Sequence, residues 1–555
     1  MAGAVEPASL QRHIHHGDPA GFRRSRTSTK GSKMIHRARL LVTALVCCTG
    51  LLLGACGGGG GDPATSAAGA TGEPVAGGEA RVLLLSEPRT LDPAVVGNAY
   101  ASGALIGNAL YGTLMINDAA GGIRYSMAES FKSTDNGKTF ELKLRPGLVF
   151  SDGTPLNAQA VKYNWERIKD PATGSANRAE ATMIASSEVV DDVTLRITLV
   201  TPVPKYSEAV ITTTLNWIAS PAALEKGGPA FDRNPIGAGP FTLQSWARQD
   251  NMRLVKNPRY WDAPKPYLDS LVLRPAQDSN QRYNTLLTGG ADLAVDSSWI
   301  NLGKADEAGL PVDFLPASGG ILAALNTRRA PFNDVRARQA VAKALDMDAL
   351  NLAVWNGGAR MATTLFTDSS PFYSPTPLQR TDKVAAQKLF DELAAEGKPV
   401  SFSFTTTPAS ENRKMAENIQ AQLSAFKNVK FHIRVIEVAE FSALRTSHDY
   451  DAVLTSSVFQ DPDPRLPTTF LGDSSANLSM LDDPQLDESL LAGRTATSVA
   501  ERKKAYDRVQ ARLTELVPAI FFVRGPLGTI SARNVGGVSQ YGLGSLLPEE
   551  LWIKP

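Results

Sequence analysis

The sequence predicts a mixed α/β protein built around more than one hydrophobic core, and three observations support this fold class. The chain has 555 residues, more than the roughly 250–300 residues beyond which a single core stops growing. Short runs that alternate apolar and polar residues are interleaved with longer runs at helical spacing. Hydrophobic residues make up 43% of the chain and charged residues 20%, which is typical of globular proteins.

Four runs predict strands along the chain. Residues 140–144 and 193–199 alternate with a period of two, as half-buried strands do. Residues 271–273 and 293–295 are short and apolar, which is typical of buried strands. Strands of both kinds within one chain favour a sheet with helices packed against it.

Two helices are predicted from their caps and apolar stripes. Asn333 is the expected cap of the first, and its buried stripe comprises Ala337, Val341, Ala344 and Leu345. Ser498 to Glu501 has the pattern of a capping box for the second helix. The apolar residues of that helix are Tyr506, Val509, Leu513 and Leu516, and Pro518 is expected to end it.

The N-terminus has the organisation of an export signal. A basic stretch at residues 34–39 precedes an apolar run at 40–55, which is shorter than the roughly 20 residues of a membrane-spanning helix. The run ends in Leu-Gly-Ala-Cys56, which resembles the bacterial lipobox, and this resemblance implies acylation of Cys56. Residues 1–33 are predicted to be a non-native upstream extension or a disordered tail. Residues 56–80 are rich in glycine and are predicted to be a flexible tether.

Composition excludes several classes of function. All three cysteines (Cys47, Cys48 and Cys56) precede residue 57, and only His432 and His448 follow it. A Cys/His metal site, a cysteine nucleophile and a disulfide framework are therefore not expected in the body of the protein, and neither is a cofactor. The net charge of +1 gives no reason to expect nucleic-acid binding.

Two short motifs could carry chemistry but favour structural roles. Residues 237–240, Gly-Ala-Gly-Pro, lack the third glycine of a dinucleotide loop and predict a tight turn. Asp461-Pro462-Asp463-Pro464 places two carboxylates together, as in glycoside hydrolases. A structural loop, a ligand-facing loop and catalysis remain open for Asp461 and Asp463.

Several stretches in a fixed order resemble one family. The stretches are Thr90-Leu-Asp-Pro93, Ser133–Arg167 (with Leu-Arg-Pro-Gly-Leu-Val-Phe-Ser-Asp-Gly-Thr-Pro), Pro235–Phe241, Lys256-Asn-Pro-Arg-Tyr-Trp261, Leu325-Asn-Thr327 and Val335–Val341. Together they are similar to the extracellular solute-binding proteins, family 5, of ABC importers, the group that binds oligopeptides, dipeptides and nickel chelates. The resemblance runs from about residue 80 to 530.

The resemblance implies a two-lobed clamshell similar to periplasmic binding proteins, of type II, with an extra subdomain. The first lobe would comprise residues 81–316 and 520–555, with the subdomain near 121–230. The second lobe would comprise residues 317–519. Crossings near 315–318 and 518–521 would form a hinge, and a ligand would sit between the lobes.

The resemblance also implies a function. The protein would be a receptor anchored by lipid to the extracytoplasmic side of the cell membrane, and it would deliver a peptide or peptide-like solute to an ABC permease and ATPase. It would act as a monomer, would not be an enzyme, and would need no cofactor or metal. A non-peptide solute, an adhesin or chaperone-like lipoprotein without a small ligand, and a lipid-anchored hydrolase using Asp461 and Asp463 are the alternatives.

The cargo depends on one position. In peptide-binding relatives, a carboxylate three residues before an Asp-Pro pair holds the amino terminus of the peptide, and the matching position here is Val458. An isopropyl group cannot neutralise an ammonium. Short peptides, modified peptides, glycosides and opine-like compounds therefore remain open, whereas the scarcity of histidine disfavours nickel chelates.

The expected ligand-binding residues lie in loops beside the strands. They are Asn98, Tyr100, Ser298, Trp299, Trp355, Asn356, Val458, Phe459, Asp461 and Arg524. Aromatic and polar side chains of this kind combine contact area with directional hydrogen bonds. Core packing for the two tryptophans, a plain helix face for Asn98 and Tyr100, and a surface salt bridge for Arg524 are the alternatives.

Overall fold

The computed structural model describes residues 69–98, 102–118, 121–437 and 440–555, and all of them fall within one structural unit of residues 64–555. The predicted extension, the export signal, Cys56 and the first part of the tether lie outside the described residues. Tyr100 lies outside them as well.

The strands are short and are distributed along the whole described chain. In chain order they are β1 (Glu79–Leu84), β2 (Met115–Asn117), β3 (Ile123–Tyr125), β4 (Ala128–Lys132), β5 (Thr139–Leu144), β6 (Ile184–Val189), β7 (Thr194–Leu199), β8 (Phe241–Ala247), β9 (Asn251–Lys256), β10 (Ser270–Pro275), β11 (Leu293–Asp296), β12 (Val312–Phe314), β13 (Ser318–Leu325), β14 (Val400–Thr406), β15 (Val429–Val435), β16 (Ala452–Phe459), β17 (Ala519–Val523), β18 (Gly528–Ser531), β19 (Val535–Gly536), β20 (Gln540–Tyr541), β21 (Ser545–Leu546) and β22 (Trp552–Ile553).

Helices connect most of these strands. In chain order they are α1 (Ser102–Tyr111), α2 (Ala158–Lys169), α3 (Arg178–Thr182), α4 (Tyr206–Thr212), α5 (Pro221–Leu224), α6 (Gly228–Arg233), α7 (Ser279–Leu287), α8 (Trp299–Glu307), α9 (Val335–Ala344), α10 (Met347–Trp355), α11 (Lys383–Ala395), α12 (Ser410–Leu423), α13 (Phe441–Ser447), α14 (Arg465–Phe470), α15 (Pro484–Thr495) and α16 (Val499–Leu516).

A seven-stranded mixed sheet organises the N-terminal part of the chain and its C-terminal end. Its strand order is β12-β18-β11-β1-β10-β9-β8, and β1 runs parallel to both of its neighbours. A separate antiparallel sheet, β4-β5-β7-β6, lies in the same part of the sequence and has its own core around Trp165 and Tyr206. We call the segments that build these two sheets, residues 79–314 and 528–555, the first half.

A five-stranded sheet organises the rest of the chain. Its strand order is β15-β14-β16-β13-β17. Its central strand pair, β13 and β16, is antiparallel and registered from Ser318 opposite Phe459 to Leu325 opposite Ala452. One face of the sheet packs on α14 and α16 through Phe470 and Tyr506. We call residues 318–523, which build this sheet, the second half.

Two neighbouring segments of the chain, which we call crossings, connect the first half to the second half. Residues 315–317 lead from β12 to β13, and residues 524–527 lead from β17 back to β18. The Leu315 N–H donates to the Leu527 carbonyl at 3.2 Å, so the crossings are hydrogen-bonded to each other. Because β17 pairs with β13 as far as Val523, the return crossing lies a few residues after the predicted 518–521.

The local predictions can be compared with these elements. The four predicted strands correspond to β5, β7, β10 and β11, and the predicted helix after Ser498 is α16. The cap predicted at Asn333 is wrong by one residue. Asp334 caps α9 by accepting from the Arg336 N–H at 2.9 Å, whereas the Asn333 N–H donates to Arg329 in the preceding turn.

The described part of the predicted tether lies against the first half. The Ala70 N–H donates to the Val535 carbonyl at 2.9 Å, and the Gly77 N–H donates to the Tyr267 carbonyl at 2.8 Å. Strand β1 begins at Glu79, inside the predicted tether. Residues 69–80 are therefore bound to the fold by backbone hydrogen bonds rather than free in solvent.

Candidate functional site

A cavity of about 580 Å³ is lined by side chains from both halves and from the return crossing. Its volume falls within the range of about 300–1,000 Å³ that small-molecule sites occupy. The first half contributes residues near Asn98, α3, α4, α7 and Ser298. The second half contributes the N-terminus of α12 and the loop after β16, and Gly525 to Leu527 lie at the crossing.

Two carboxylates of the first half lie on the cavity wall. Glu180 on α3 and Glu208 on α4 are 7% and 5% exposed. Burial raises the pKa of Glu208 to about 8, and the negative charge of Asp461 acts in the same direction. Burial also raises the pKa of Glu180. Glu180 Oε2 has no hydrogen-bond partner among the described residues.

The two carboxylates of the loop after β16 are both paired with arginines. Arg502 on α16 donates to Asp461 Oδ2 at 2.7 Å and to Asp461 Oδ1 at 2.5 Å. Arg494 Nε on α15 donates to Asp463 Oδ1 at 2.8 Å. Burial raises the pKa of Asp463, while Arg494 opposes that shift. These arginines hold the loop in place and compensate most of its charge.

Val458 and Phe459 occupy the end of β16 beside the cavity. Val458 pairs with Gly319 in the sheet, and its methyl groups lie next to Gly525 of the return crossing. Phe459 is buried and packs edge-on against Phe366, 5.8 Å between ring centroids. The position predicted to lack a carboxylate is thus an apolar part of the cavity wall.

Asn98 and Ser298 line the cavity and are also held by the protein. The Asn98 Nδ2 donates to the carbonyls of Ile211 and Thr213 at the end of α4. Ser298 caps α8 and donates from Oγ to Glu411 Oε1 at 2.5 Å. Because Glu411 belongs to the second half, this hydrogen bond joins the two halves beside the cavity.

Four of the expected ligand-binding residues do not line the cavity: Trp299, Trp355, Asn356 and Arg524. The Trp299 indole donates to the Arg524 carbonyl at 3.0 Å, and the Trp355 indole donates to Glu411 Oε2 at 2.8 Å. Asn356 ends α10 in the left-handed region with φ of 55° and is exposed. The tryptophans are buried in the core, so the geometry favours the packing alternative for both.

Arg524 holds the return crossing against the second half. Its guanidinium donates to the carbonyls of Gly319, Thr364, Leu365 and Phe366. Burial lowers its pKa to about 10. An arginine surrounded by carbonyls inside the protein has its donors occupied, so this geometry favours neither ligand binding nor the surface salt bridge.

Sequence reasoning did not single out Glu180, Glu208 or Glu411. The available signal for Glu208 was its place in a helix whose neighbours Tyr206, Ala209 and Val210 are large or apolar and buried. A carboxylate there has to be paired, protonated or used. No comparable signal marks Glu180, whose burial depends on packing between α2, α3 and distant segments.

The described ranges contain neither a cluster suited to a metal ion nor a helix suited to a membrane. Within them, no group of three or more His, Cys, Asp or Glu side chains is arranged to hold a metal ion. In the same ranges, none of the helices combines the length and the apolar character required to span a bilayer.

Residues 122–477 match the family model of bacterial extracellular solute-binding proteins, family 5. The glutathione-binding protein GsiB of Pectobacterium atrosepticum is 28% identical over 435 residues, covering 74% of this chain and 82% of that protein.

Solved structures of binding proteins share the fold. AgaA of A. tumefaciens R10, solved in complex with agropinic acid, has a TM-score of 0.76 and 26% identity, covering 86% of this chain and 99% of that one. A dipeptide-binding protein of Pseudoalteromonas sp. SM9913, solved with Met-Leu, has a TM-score of 0.76 and 24% identity, covering 86% and 100%. The predicted two-lobed α/β fold is confirmed by these similarities.

Proposed function

The chain belongs to the bacterial extracellular solute-binding proteins of family 5, and from this premise we propose that it is the solute receptor of an ABC importer that captures a peptide or peptide-like organic solute. One observation carries the proposal: the cavity is lined by both halves and by the return crossing. A solute held there contacts two bodies at once, so it favours the arrangement in which they are closed.

The cavity walls support recognition rather than turnover. A pair of carboxylates that hydrolyses a glycoside needs one acid and one free base or nucleophile at the ligand. Both oxygens of Asp461 accept from Arg502, and Asp463 accepts from Arg494. The relative GsiB is described as a binding protein. The hydrolase alternative therefore has less support than the receptor.

Peptide-like cargo is supported by two comparisons and by the shape of the site. The relative GsiB is described as binding glutathione, and a structure with the same fold holds the dipeptide Met-Leu. The cavity volume is suited to a ligand of that size. A non-peptide organic solute is the second candidate, because AgaA was solved with agropinic acid and because Val458 offers no charge at the expected amine position.

The remaining parts of the proposal concern place and partners. We propose that Cys56 is acylated and holds the receptor on the extracytoplasmic face of the membrane, where at least two acyl chains give stable anchoring. A permease and an ATPase are the proposed partners, and the receptor is proposed to act as a monomer. The sequence Leu-Gly-Ala-Cys56 supports the anchor.

Mass spectrometry of the solute that co-purifies with the protein tests the receptor. The full chain is purified without denaturant, then denatured, and the released small molecules are identified. One organic solute near equimolar amount is expected, and adding it back at about 100 times Kd should stabilise the stripped protein by about 2.7 kcal/mol. Chemical conversion of that solute during incubation, or no stabilisation by any released compound, would contradict the proposal.

A further inference from the structure

The carboxylates of the first half indicate which chemical group of the solute is recognised. We propose that Glu208, assisted by Glu180, binds a positively charged nitrogen of the solute, so that the cargo carries a protonated amine or a guanidinium group. This inference rests on the proposed function, because it names the group that the receptor's cavity selects.

Glu208 is a buried carboxylate without a committed cation. It is 5% exposed, lies on the cavity wall, and makes no side-chain hydrogen bond with any described residue. The charged groups that face it are Asp461, Lys205, Arg502 and Asp463. Lys205 is exposed and has no ion pair among the described residues, and Arg502 is committed to Asp461.

Glu180 adds a second oxygen of the same kind. Its Oε2 atom is buried and unpartnered among the described residues, and the residue lines the same cavity. The positive charges that act on the pKa of Glu180 are those of Arg465 and Arg494. Arg494 is bonded to Asp463, and Arg465 donates to the Ser456 carbonyl at 2.9 Å, so neither neutralises Glu180 by direct contact.

Two buried carboxylates that line one cavity are costly unless they are protonated or paired. In the free protein, burial raises the pKa of Glu208 to about 8, so the group is mostly neutral at pH 7. A cation that enters the cavity favours the ionised form and displaces the proton. Solute binding and proton release are thereby coupled at Glu208.

The second half offers a weaker place for the same cation. Asp461 already accepts twice from Arg502. Asp463 Oδ1 accepts from Arg494, and the buried Oδ2 of the same carboxylate has no hydrogen-bond partner among the described residues. Val458 presents methyl groups to the cavity. The anchoring charge thus lies on the first half and not at Val458, the position indicated by the resemblance to peptide-binding relatives.

Titration of paired probes against matched variants tests this inference. Met-Leu, tri-alanine and glutathione are each compared with their N-acetyl forms, with maltose and citrate as neutral and anionic members. Glu208→Gln keeps the shape and removes the charge, and Glu180→Gln does the same at the second position. Glu488→Gln is the control, because it makes the same change at an exposed position of α15 that does not line the cavity.

The wild type is expected to bind free-amine probes and to lose affinity on N-acetylation. Glu208→Gln should lower amine affinity by about 30-fold, because the partner charge of a buried pair is removed. Glu180→Gln should lower it by about fivefold, as loss of one hydrogen bond does, and Glu488→Gln should leave it within about twofold, since it removes no amine contact. Between pH 6 and 7, where peptide amines stay mostly protonated, wild-type affinity should rise by up to about tenfold per pH unit, and that of Glu208→Gln should rise less.

Folding of the variant is checked by its melting temperature. Because the pKa of Glu208 is raised in the folded protein, ionisation of Glu208 lowers the free energy of unfolding. This destabilisation grows as the pH rises and is complete only above about pH 8. Glu208→Gln should therefore melt at or above the wild-type temperature at pH 9. A Glu208→Gln protein that folds correctly and binds amines more weakly supports Glu208 as the amine-binding group.

The other outcomes distinguish a failure of the proposed amine site from a failure of the proposed receptor function. If both glutamine variants bind amines as tightly as the wild type, the proposed amine site at Glu208 and Glu180 is overturned, while the proposed receptor function stands. The same holds if N-acetyl, neutral or anionic probes bind and amines do not. If no probe and no co-purified solute binds the wild type, the receptor itself is overturned, and the inference that rests on it fails too.

Discussion

At the scale of single residues, the pairing of Asp461 with Arg502 fixes the loop that closes the cavity on the side of the second half. The Arg502 side chain is 4% exposed and the Asp461 side chain is 18% exposed. Burial acts to lower the pKa of Arg502, but its hydrogen bonds to Asp461 and the charge of Asp461 outweigh it and raise that pKa. Breaking such a pair from one side leaves a charge in a poorly solvated place.

Arg502→Gln should lower the free energy of unfolding by about 3–5 kcal/mol, because Asp461 loses both guanidinium donors and keeps the Asp463 N–H alone. Denaturation by urea measures this change. Arg336→Gln is the matched control: Arg336 pairs with Asp334 and Glu396 at the surface, where a pair contributes about 0–1 kcal/mol. Equal losses in the two variants would contradict the structural role given to the Asp461 pair.

Sequence reasoning identified some cavity residues and not others, for physical reasons. Asp461 follows a strand, and loops after strands commonly line sites, so its position could be predicted. Val458 lies at the end of that strand and was found through the resemblance to peptide-binding relatives. Trp299 and Trp355 are aromatic residues of the type that often binds ligands, yet their indole N–H groups donate to partners inside the core. Glu208 was missed because its position on the wall depends on how α4 packs against distant segments.

At the scale of elements, local chemistry fixes where α16 begins. Ser498 Oγ accepts from the Glu501 N–H at 3.2 Å, and the hydroxyl donates to Glu501 Oε2 at 2.8 Å. Val517 ends the helix in the left-handed region with φ of 45°, directly before Pro518. This helix carries Arg502, so its start positions the donor for Asp461.

Ser498→Ala should destabilise the protein by about 1 kcal/mol, because an N–H of the first turn loses its acceptor. Thermal denaturation followed by circular dichroism measures the loss. Ser498→Asp is the control and should keep wild-type stability, since a carboxylate at the cap also accepts and favours the helix dipole. If alanine and aspartate behave alike, capping does not stabilise this helix.

Elements with local signals were predicted, and elements defined by remote partners were not. Alternation marked β5 and β7, and the capping box marked α16. Strand β17 is buried throughout, and nothing in that apolar run reveals that it pairs with β13, about two hundred residues earlier in the chain. The boundary of the return crossing was misplaced for this reason.

At the scale of the whole molecule, hydrogen bonds join the halves beside the cavity. Asn117 Nδ2 of the first half donates to Gln460 Oε1 of the second half at 2.8 Å. Ser298 and Glu411 form a second link. The two hydrogen-bonded crossings lie at Leu315 and Leu527, where a few residues can absorb the dihedral changes of a hinge. The links exist only when the halves are together, so they favour the closed state.

Gln460→Ala should weaken solute binding by about fivefold, because the closed state loses one hydrogen bond of about 1 kcal/mol. The loss should appear mainly in the dissociation rate, which surface plasmon resonance with immobilised protein measures. Gln485→Ala, at an exposed position of α15 in the same half, should leave the rate unchanged. A dissociation rate unaffected by Gln460→Ala would remove this contact from the closing mechanism.

The arrangement of two halves could be predicted only through resemblance to a family. Composition and length indicated more than one core, but the order of strands in each sheet depends on pairings between residues far apart in the chain. The export signal, Cys56 and Tyr100 stay predictions, because they lie outside the described residues.

Closure of the two halves over a solute is tested most directly by small-angle X-ray scattering of the purified chain, stripped of solute and then resupplied with the compound that co-purifies. The account predicts that the radius of gyration and the maximum dimension both decrease when the solute is added. Superimposable scattering curves, at a solute concentration that calorimetry shows to be saturating, would contradict it.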